Sequence, residues 1–399
     1  MKRDKCANDS VGNRKPVVDR WHRPDIQQSL RLCSELAAGS GEATRKYYGL
    51  LNTFVETCHN LVQGGCAYLA VLLCHELYRF LYPTDSYAGF VHEDPVPSVT
   101  SLLEKILGLA EQFASVVHPY SLGPQDLQAL GNMDLPLEQA TSALYTSLWS
   151  VLDRNALLEE SSLLLRKRMS QELLEQNVRG KDVLDMGCGS GRYSIALALA
   201  GAKRVVGLDL ERKAFSAAER WCRDNDLAVD FVEGNFHRLP FPDSSFDFVF
   251  CNGVLHHSSS IKRGLEELFR VLKTSASAFL YLYAAGGIFW YTRLALRGIF
   301  SEIPIDYTLA VLRLIGMPSN RFIFCDTWYV PREVHTSRAD LEAMLADIGF
   351  SFRKIVSLNP FDLDGAIERN VPGARDMWGD GEHRYLLGKN CSVRPFIRE

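Results

Sequence analysis

The chain of 399 residues has ten cysteines, but none of them forms a C-x-x-C pair and all stand singly. Zinc sites and disulfide frameworks are built from closely spaced cysteines, so the sequence predicts neither, and we expect no bound metal. Several cysteines lie inside apolar segments, where a free thiol packs as a small hydrophobic group. Unpaired thiols are typical of a reducing compartment, so we expect the protein in the cytoplasm.

The sequence also lacks an excess of basic residues. Lys and Arg together number 44 against 48 Asp and Glu, which gives a formal net charge of −4. We expect no nucleic-acid partner, because phosphate binding needs a clustered basic surface.

The order of apolar and charged residues predicts neither a secretory signal peptide nor a membrane-spanning helix. No apolar stretch follows the basic start M-K-R-D-K-C, and residues 1–24 are predicted to be a flexible arm. The one long charge-free segment runs from Lys273 to Arg293, and Ser277 and Gly286 interrupt it. Its first half, A-S-A-F-L-Y-L-Y, favours a buried strand, so a membrane-spanning helix is not expected.

Two kinds of periodicity divide the chain. Residues 25–178 have helical spacing almost throughout and predict a helical N-terminal domain. Residues 179–395 alternate strand-like and helical segments, which is typical of an α/β fold with a doubly wound, mostly parallel sheet. Residues 286–335 interrupt the alternation and predict a lid of two helices and an aromatic-rich loop. Seven segments are strand-like, and they begin with D-V-L-D-M and end with H-R-Y-L-L-G-K.

The stretch V-L-D-M-G-C-G-S-G-R-Y contains three alternating glycines, Gly187, Gly189 and Gly191, between a strand and a helix. Glycine permits a sharp turn and the close approach of a ligand, and the N–H groups of the following helix favour negative charge. The G-x-G-x-G spacing differs from the G-x-G-x-x-G of a dinucleotide site, which argues against a nicotinamide-dependent oxidoreductase.

Polar residues lie at the carboxyl ends of the next predicted strands. Asp209 ends the second strand, where a carboxylate can accept hydrogen bonds from both hydroxyls of a ribose. Asn235 follows the third strand and Asn252 closes the fourth. Ligands of such sheets bind at these carboxyl ends, so we expect the polar residues to line one crevice.

With these motifs the chain resembles the class I S-adenosylmethionine-dependent methyltransferases, and within them the type 11 methyltransferase domain. The resemblance covers residues 180 to about 285 and rests on segments in the right order: V-L-D-M-G-C-G-S-G, G-L-D-L, G-N-F, L-P-F-P-D-S-S-F-D-F-V and L-H-H. It implies a Rossmann-like sheet of seven strands with the last one antiparallel. It also implies that S-adenosylmethionine is the cofactor and S-adenosylhomocysteine the product.

The resemblance assigns cofactor contacts residue by residue. The glycine loop would hold the methionine part, Asp209 the ribose, and Asn252 would line the sulfonium site. The full implied set is Asp185, Gly187, Gly189, Gly191, Asp209, Leu210, Asn235, Phe236 and Asn252. Two positions depart from the family pattern: Asn235 stands where an Asp is usual, and K-T-S-A replaces K-P-G-G before the fifth strand. An amide oxygen accepts hydrogen bonds as a carboxylate does, so the cofactor assignment stands.

Three histidines are candidates for the catalytic base. His256 and His257 follow the fourth strand, and His335 ends the lid segment. Each has a structural alternative: capping or packing of the loop for His256 and His257, and a place in a surface loop for His335. Asp326, Trp328 and Tyr329 predict an aromatic wall with one acceptor, or ordinary lid packing.

The sequence leaves the acceptor open. We expect a small-molecule or peptide methyltransferase, with oxygen favoured over nitrogen as the methylated atom and with natural-product biosynthesis as one setting. The alternative is a non-catalytic protein that retains the fold and uses the helical N-terminal domain as an interaction module. A homodimer through that domain or through the lid helices is a further expectation.

Overall fold

The computed structural model describes residues 25–81, 94–116, 139–141, 143–145, 165–166, 168–316, 321–355 and 363–389. Residues 1–24, predicted to be a flexible arm, lie outside them. Much of the predicted helical N-terminal domain between residues 117 and 167 lies outside them too. The domain boundaries at 178 and 395 stay predictions.

Helices make up the described part of the N-terminal region: α1 (Ile26–Gly39), α2 (Glu42–Gln63), α3 (Ala67–Leu81), α4 (Pro95–Val116) and α5 (Gln171–Asn177). Asp25 begins α1 by accepting a 2.8 Å hydrogen bond from the Gln28 backbone N–H. In α2 the buried side chains recur every three or four residues, at Tyr47, Leu51, Phe54 and Cys58 among others. This spacing puts one apolar face against α1 and α4.

The second half contains seven strands: β1 (Asp182–Met186), β2 (Arg204–Asp209), β3 (Val229–Glu233), β4 (Phe246–Asn252), β5 (Leu272–Tyr283), β6 (Phe350–Lys354) and β7 (Glu382–Lys389). They form one sheet in the order β3-β2-β1-β4-β5-β7-β6. The first five pair in parallel, and β7 runs antiparallel to both β5 and β6. The predicted fold class, with its antiparallel seventh strand, is confirmed. Strand β5 begins earlier than predicted, because Leu272 pairs with Phe246, and the extra residues between Leu272 and Ser277 bulge out of β5.

The connecting helices are α6 (Arg192–Leu199), α7 (Arg212–Asp224), α8 (Ile261–Val271), α9 (Gly287–Phe300), α10 (Ile305–Leu314), α11 (Arg321–Tyr329), α12 (Arg338–Ile348), α13 (Leu363–Glu368) and α14 (Ala374–Trp378), with a 3₁₀ turn at Leu255–His257. The prediction of an aromatic-rich loop after α10 was wrong in part, because α11 occupies most of it. Phe324 and Trp328 lie one turn apart on α11, and both are buried against Phe300 of α9. Tertiary packing of these rings stabilises the helix.

Alternate strand residues face two different hydrophobic cores. Leu184, Val206, Val249 and Leu280 pack on one face of the sheet, against α8 and α12. Their neighbours on the other face join a larger cluster that also contains the N-terminal helices and α9. The helical region and the sheet therefore share one continuous core.

Helix α9 is buried between the sheet and the N-terminal helices. The Tyr47 hydroxyl lies 2.8 Å from Thr292 Oγ1, and His59 Nδ1 lies 2.9 Å from Glu302 Oε2. Ser29 of α1 packs directly on Gly298. The first helix of the predicted lid is therefore part of the core, because its apolar face is already covered within the chain.

The charge-free segment after Lys273 forms β5 and the start of α9, as predicted. Within the described ranges no helix combines the length and the apolar character needed to cross a bilayer.

The tight contact at Gly298 gives a stability prediction. A Cβ at this position would lie 2.2 Å from Ser29 Oγ and 3.0 Å from the Asp25 carbonyl oxygen. We expect Gly298→Ala to lower the free energy of unfolding by about 1–3 kcal/mol, because overpacking outweighs the gain in helix propensity. Urea unfolding followed by circular dichroism measures the change.

Gly108 is the matched control, since it also lies inside a helix but a Cβ added there would meet no neighbouring atom within 4 Å. Gly108→Ala should raise the free energy of unfolding by up to about 1 kcal/mol. Equal effects of the two substitutions would contradict the close packing of α1 on α9.

Candidate active site

The glycine loop between β1 and α6 adopts a left-handed turn. Gly187, Gly189 and Gly191 have φ angles of 80°, 53° and 79°, a region that other residues rarely adopt. A Cβ on Gly187 would lie 2.5 Å from the Val254 side chain, and one on Gly191 would lie 2.6 Å from the Ala218 Cβ. Packing within the chain therefore requires glycine at positions 187 and 191, a reason that the sequence did not reveal.

The start of α6 points its first backbone N–H groups toward the glycine loop, and the Asp185 carboxyl group accepts from the third of them, the Ser194 N–H. Gly191 is the residue before the helix and makes no side-chain capping bond. The buried Ser190 hydroxyl has no hydrogen-bond partner among the described residues. The first N–H groups of a helix attract anionic groups, so this end of the loop fits a carboxylate of a ligand.

Asp209 joins the end of β2 to the glycine loop. One carboxylate oxygen accepts a 2.7 Å hydrogen bond from the Gly189 N–H, and the other accepts a 2.8 Å bond from the Leu210 N–H. Burial raises the pKa of Asp209, although these backbone donors act in the opposite direction. A third backbone donor, the Glu211 N–H, also reaches this carboxylate, and the lone pairs that remain can accept hydrogen bonds from a diol.

Asp185 lies beneath the loop. It is 2% exposed, and its Oδ2 accepts a 2.6 Å hydrogen bond from the Ser194 hydroxyl in the first turn of α6. Burial raises the pKa of Asp185 to about 7. In this position the carboxyl group supports the loop from below, and its place among the cofactor contacts stays a prediction.

Asn235, Phe236 and Asn252 lie on the loops after β3 and β4. Asn235 Oδ1 accepts a 2.8 Å hydrogen bond from the His237 backbone N–H, which forms a tight turn, and Phe236 beside it is half-buried. Asn252 Oδ1 is buried, and no described residue donates to it. A buried acceptor without a donor fits a polar ligand in the crevice.

His256 is fully buried and stacks on Tyr283, with ring centroids 3.7 Å apart. Its Nδ1 accepts a long, 3.4 Å hydrogen bond from the Tyr283 backbone N–H, so the hydrogen of the neutral ring sits on Nε2. Burial and the neighbouring His257 hold the pKa of His256 well below its usual range. In this arrangement His256 presents a hydrogen to the interior instead of a basic lone pair.

His257 has partners on both ring nitrogens. Nδ1 lies 3.0 Å from the Arg332 carbonyl oxygen, and Nε2 lies 3.0 Å from the Tyr145 hydroxyl. Tyr145 in turn donates to Asp326 Oδ1 at 2.5 Å. Sequence reasoning missed Tyr145, which comes from the N-terminal region and carries no local motif.

His335 also has acceptors on both sides. Its Nδ1 lies 2.7 Å from the Ala284 carbonyl oxygen, and its Nε2 lies 2.8 Å from Glu333 Oε1. Both nitrogens therefore donate, and no lone pair is left for an incoming proton. His335 itself is buried, so the alternative prediction that it lies in a surface loop was wrong.

Arg293, Arg297 and Glu333 form a buried ion cluster next to His335. Arg293 Nε and Arg297 Nη1 lie 2.7 Å and 3.2 Å from the two Glu333 carboxylate oxygens. Burial alone would raise the pKa of Glu333, but the charges of Arg293, His335 and Arg297 hold it well below its usual range. Two arginines four residues apart in an otherwise apolar helix are a signal that sequence reasoning could have used.

Trp328 and Tyr329 do not form an open aromatic wall. Trp328 stacks on Phe300, with ring centroids 5.5 Å apart. The Tyr329 hydroxyl donates to the Ile303 carbonyl oxygen at 2.9 Å. Both rings belong to the packing of α11 on α9 and α10, so the alternative of ordinary lid packing describes them.

Comparison with known proteins adds to this geometry. Residues 184–280 match the family model described as a methyltransferase domain. These residues form a methyltransferase domain. The matched segment begins inside β1 and ends inside β5, so it includes the glycine loop, Asp209, Asn235 and Asn252.

Curated relatives match the methyltransferase domain over part of their length. The uncharacterized methyltransferase YcgJ of Bacillus subtilis is 33% identical over 92 residues, which is 23% of this chain and 36% of the relative. The O-methyltransferase rstn1 of Aspergillus nomiae is 27% identical over 33% of this chain and 58% of its own length. A demethylmenaquinone methyltransferase of Geobacillus is 35% identical over 24% of this chain and 42% of its own length. The chain thus spans less than two thirds of each of these relatives.

Among solved structures, YcgJ of Bacillus subtilis aligns over 59% of this chain and all of its own, with 18% identity and a TM-score of 0.38.

The raised pKa of Asp185 gives a pH prediction. The folded protein holds this proton up to about pH 7, whereas an unfolded Asp loses it near the ordinary pKa of 3.8. The stability that the proton contributes is complete below the unfolded pKa and is lost as the pH rises through about 7. Asp185→Asn stays neutral and can still accept from Ser194, so its Tm relative to the unmodified protein should rise between pH 5 and pH 8.

Differential scanning calorimetry across that range measures the difference. Asp230→Asn is the control, because Asp230 is exposed and pairs with Arg204 at the surface. We expect no such pH trend in the control. A difference in Tm for Asp185→Asn that is constant with pH would argue against a buried proton on this carboxyl group.

Proposed function

We propose that the chain is an S-adenosylmethionine-dependent methyltransferase whose cofactor binds where β1, β2 and β4 end. The observation that carries the proposal is the bond from the Gly189 N–H to the Asp209 carboxylate. It brings the glycine loop and the ribose-binding candidate into one crevice, within the segment that matches a methyltransferase domain.

Within the proposal each polar group of the crevice has a role. The backbone N–H groups at the end of the glycine loop and the start of α6 hold the carboxylate of the ligand. Asp209 accepts hydrogen bonds from the ribose hydroxyls, and Asn235 accepts from the adenine amino group. The unpartnered Asn252 Oδ1 faces the positively charged sulfonium. When bound, the cofactor supplies an electrophilic methyl group, and the chain aligns a nucleophile with it and excludes water.

We further propose a small molecule or a peptide as the acceptor, with oxygen favoured over nitrogen and natural-product biosynthesis as one setting. One similar protein is named an O-methyltransferase, which supports oxygen, whereas others are named demethylmenaquinone methyltransferases. We place the protein in the cytoplasm. The non-catalytic alternative is less favoured, because the glycine loop and Asp209 retain the polar groups of a ligand site.

The cofactor assignment predicts a binding defect. Asp209→Ala removes a carboxylate that would accept two ribose hydrogen bonds, each worth about 1.5 kcal/mol or more, so affinity for S-adenosylhomocysteine should fall by about 100-fold or more. Isothermal titration calorimetry measures the affinity, and circular dichroism verifies that the variant is folded.

Asp230→Ala is the matched control, since it removes an exposed carboxylate from the neighbouring strand. Its affinity for S-adenosylhomocysteine should be unchanged. Unchanged affinity in Asp209→Ala as well, or no binding by the unmodified protein, would overturn the proposed function.

A further inference from the structure

Two neighbouring tyrosine rings of β5 each carry an arginine. Arg168, from the segment just before α5, has its guanidinium carbon 4.2 Å from the centroid of the Tyr281 ring. Arg293 of α9 lies over Tyr283 in the same way, at 4.6 Å. The two rings are 6.0 Å apart, and both are buried. Stacking of a guanidinium on a ring is favourable, and it leaves the N–H donors in the guanidinium plane able to form hydrogen bonds.

The two arginines differ in their partners. Arg293 donates to both carboxylate oxygens of the buried Glu333, at 2.7 Å and 3.0 Å. Arg168 has no such ion pair among the described side chains, and the group that hydrogen-bonds to it is the side chain of Tyr193 in α6. Arg293 is therefore fixed by an ion pair within the chain, whereas the described residues leave most N–H donors of Arg168 without an acceptor.

The carboxylate that faces Arg168 is already paired with another cation. Glu382 of β7 accepts hydrogen bonds from Arg384 and, at 2.8 Å, from the Tyr281 hydroxyl, and Arg168 acts on it through charge. Burial alone would raise the pKa of Glu382, but the charges of Arg384 and Arg168 hold it below its usual value. The three charged side chains thus comprise two guanidinium groups and one carboxylate. A bound carboxylate would balance them in a region that is largely shielded from water.

Arg168 lies beside the residue that is proposed to face the sulfonium. Tyr281, beneath Arg168, is the register partner of Asn252 in the pairing of β4 with β5. Side chains of register partners point to one face of a sheet, and the pair two residues earlier, Phe250 and Phe279, stacks at 5.0 Å. Neighbouring strands are about 4.8 Å apart. A carboxylate bound by Arg168 would therefore lie next to the group that Asn252 faces.

The three predicted histidines offer no vacant base to this crevice. His256 accepts from the Tyr283 N–H on Nδ1 and carries its hydrogen on Nε2. His257 and His335 have partners on both ring nitrogens. A hydroxyl or an ammonium group must lose a proton for methyl transfer, whereas a carboxylic acid has already lost its proton at neutral pH. An acceptor that arrives as an anion fits these residues better than one that must be deprotonated in place.

We propose that Arg168 binds the carboxylate of the methyl acceptor and that the product is a methyl ester, an inference that rests on the function proposed above. In the step, a lone pair of a carboxylate oxygen forms the bond to the methyl carbon. The bond from that carbon to sulfur breaks, and its electron pair stays on sulfur. The negative carboxylate and the positive sulfonium become an uncharged ester and an uncharged thioether, so no proton is transferred. The ester has lost its ion pair with Arg168, which favours its release.

The cofactor has a carboxylate of its own, and the fold gives it a different place. The N–H groups at the start of α6 follow β1, whereas Arg168 lies over β5, and β4 separates β5 from β1 in the sheet. This position favours the acceptor as the source of the carboxylate that Arg168 binds. Tyr193 of α6 also reaches Arg168, so the test includes ligands with and without the cofactor's carboxylate.

Binding calorimetry with matched probes tests the assignment. The protein saturated with S-adenosylhomocysteine is titrated with benzoate and octanoate, and with their uncharged amides, benzamide and octanamide. We expect at least one acid to bind about 10-fold or more tightly than its amide, because a charge-assisted bond to a guanidinium is stronger than a neutral one. Arg168→Gln should abolish the preference, and Arg168→Lys should keep part of it, since lysine retains the charge but not the planar donor edge.

Arg204→Gln is the matched control, because Arg204 lies at the amino end of β2 and pairs with Asp230 at the surface. It should keep the preference for the acid. A second arm measures the affinities for S-adenosylhomocysteine and for 5′-methylthioadenosine, which lacks the carboxylate. Arg168→Gln should leave both affinities unchanged, which also verifies that the variant is folded.

The product identifies the atom that is methylated. The preferred acid is incubated with S-adenosylmethionine that carries a tritiated methyl group. Mild alkali should release volatile tritiated methanol from the product, because alkali cleaves a methyl ester and leaves ethers and methylamines intact. Binding of the acid without formation of this ester would overturn its role as the acceptor.

The outcomes separate the two proposals. If the unmodified protein does not bind S-adenosylhomocysteine, the proposed function fails and the role of Arg168 fails with it. If it binds but prefers neither acid to its amide, or if Arg168→Gln keeps the preference, the proposed function stands and the role of Arg168 is overturned. If Arg168→Gln weakens the binding of S-adenosylhomocysteine but not of 5′-methylthioadenosine, Arg168 binds the carboxylate of the cofactor, which also overturns its role in holding the acceptor.

Discussion

The bond between the Gly189 N–H and the Asp209 carboxylate is the constraint on which the site depends. It ties the turn after β1 to the end of β2, so the two neighbouring parallel strands close one crevice together. The turn itself has room for no side chain at Gly187, because Val254 from the loop after β4 packs there. One carboxylate and one missing Cβ thus fix the relative positions of three loops at the carboxyl edge of the sheet.

A second constraint is the buried charge around Glu333. Two arginines of α9 and His335 surround a single carboxylate that is fully buried. Removing one member of such a cluster leaves an unpaired charge in the interior, which costs far more than a surface ion pair contributes. The cluster therefore specifies how α9 and the segment after α11 sit on β5.

Local sequence patterns predicted most of the fold, because strands and their order of appearance follow from apolar runs broken by glycine and polar residues. The glycine loop and Asp209 could be assigned for the same reason, since their roles depend on position relative to a strand. Tyr145 could not, because it is separated from His257 by 112 residues and the two meet only in the folded chain. Helix α11 was also missed, because rings of α9 stabilise it and its own sequence resembles a loop. The roles of the three histidines depended on hydrogen-bond partners that no local pattern encodes.

Burial of α9 has a consequence for how the two halves of the molecule relate. Ile288, Leu296 and Ile299 of this helix are fully covered, and the N-terminal helices supply much of that cover. A fragment without the N-terminal helices would expose this apolar surface of α9 to water and would tend to aggregate. The helical half is therefore needed for the other half to fold. Destabilising substitutions in the N-terminal helices, even far from any ligand, would cause the half that contains the crevice to misfold.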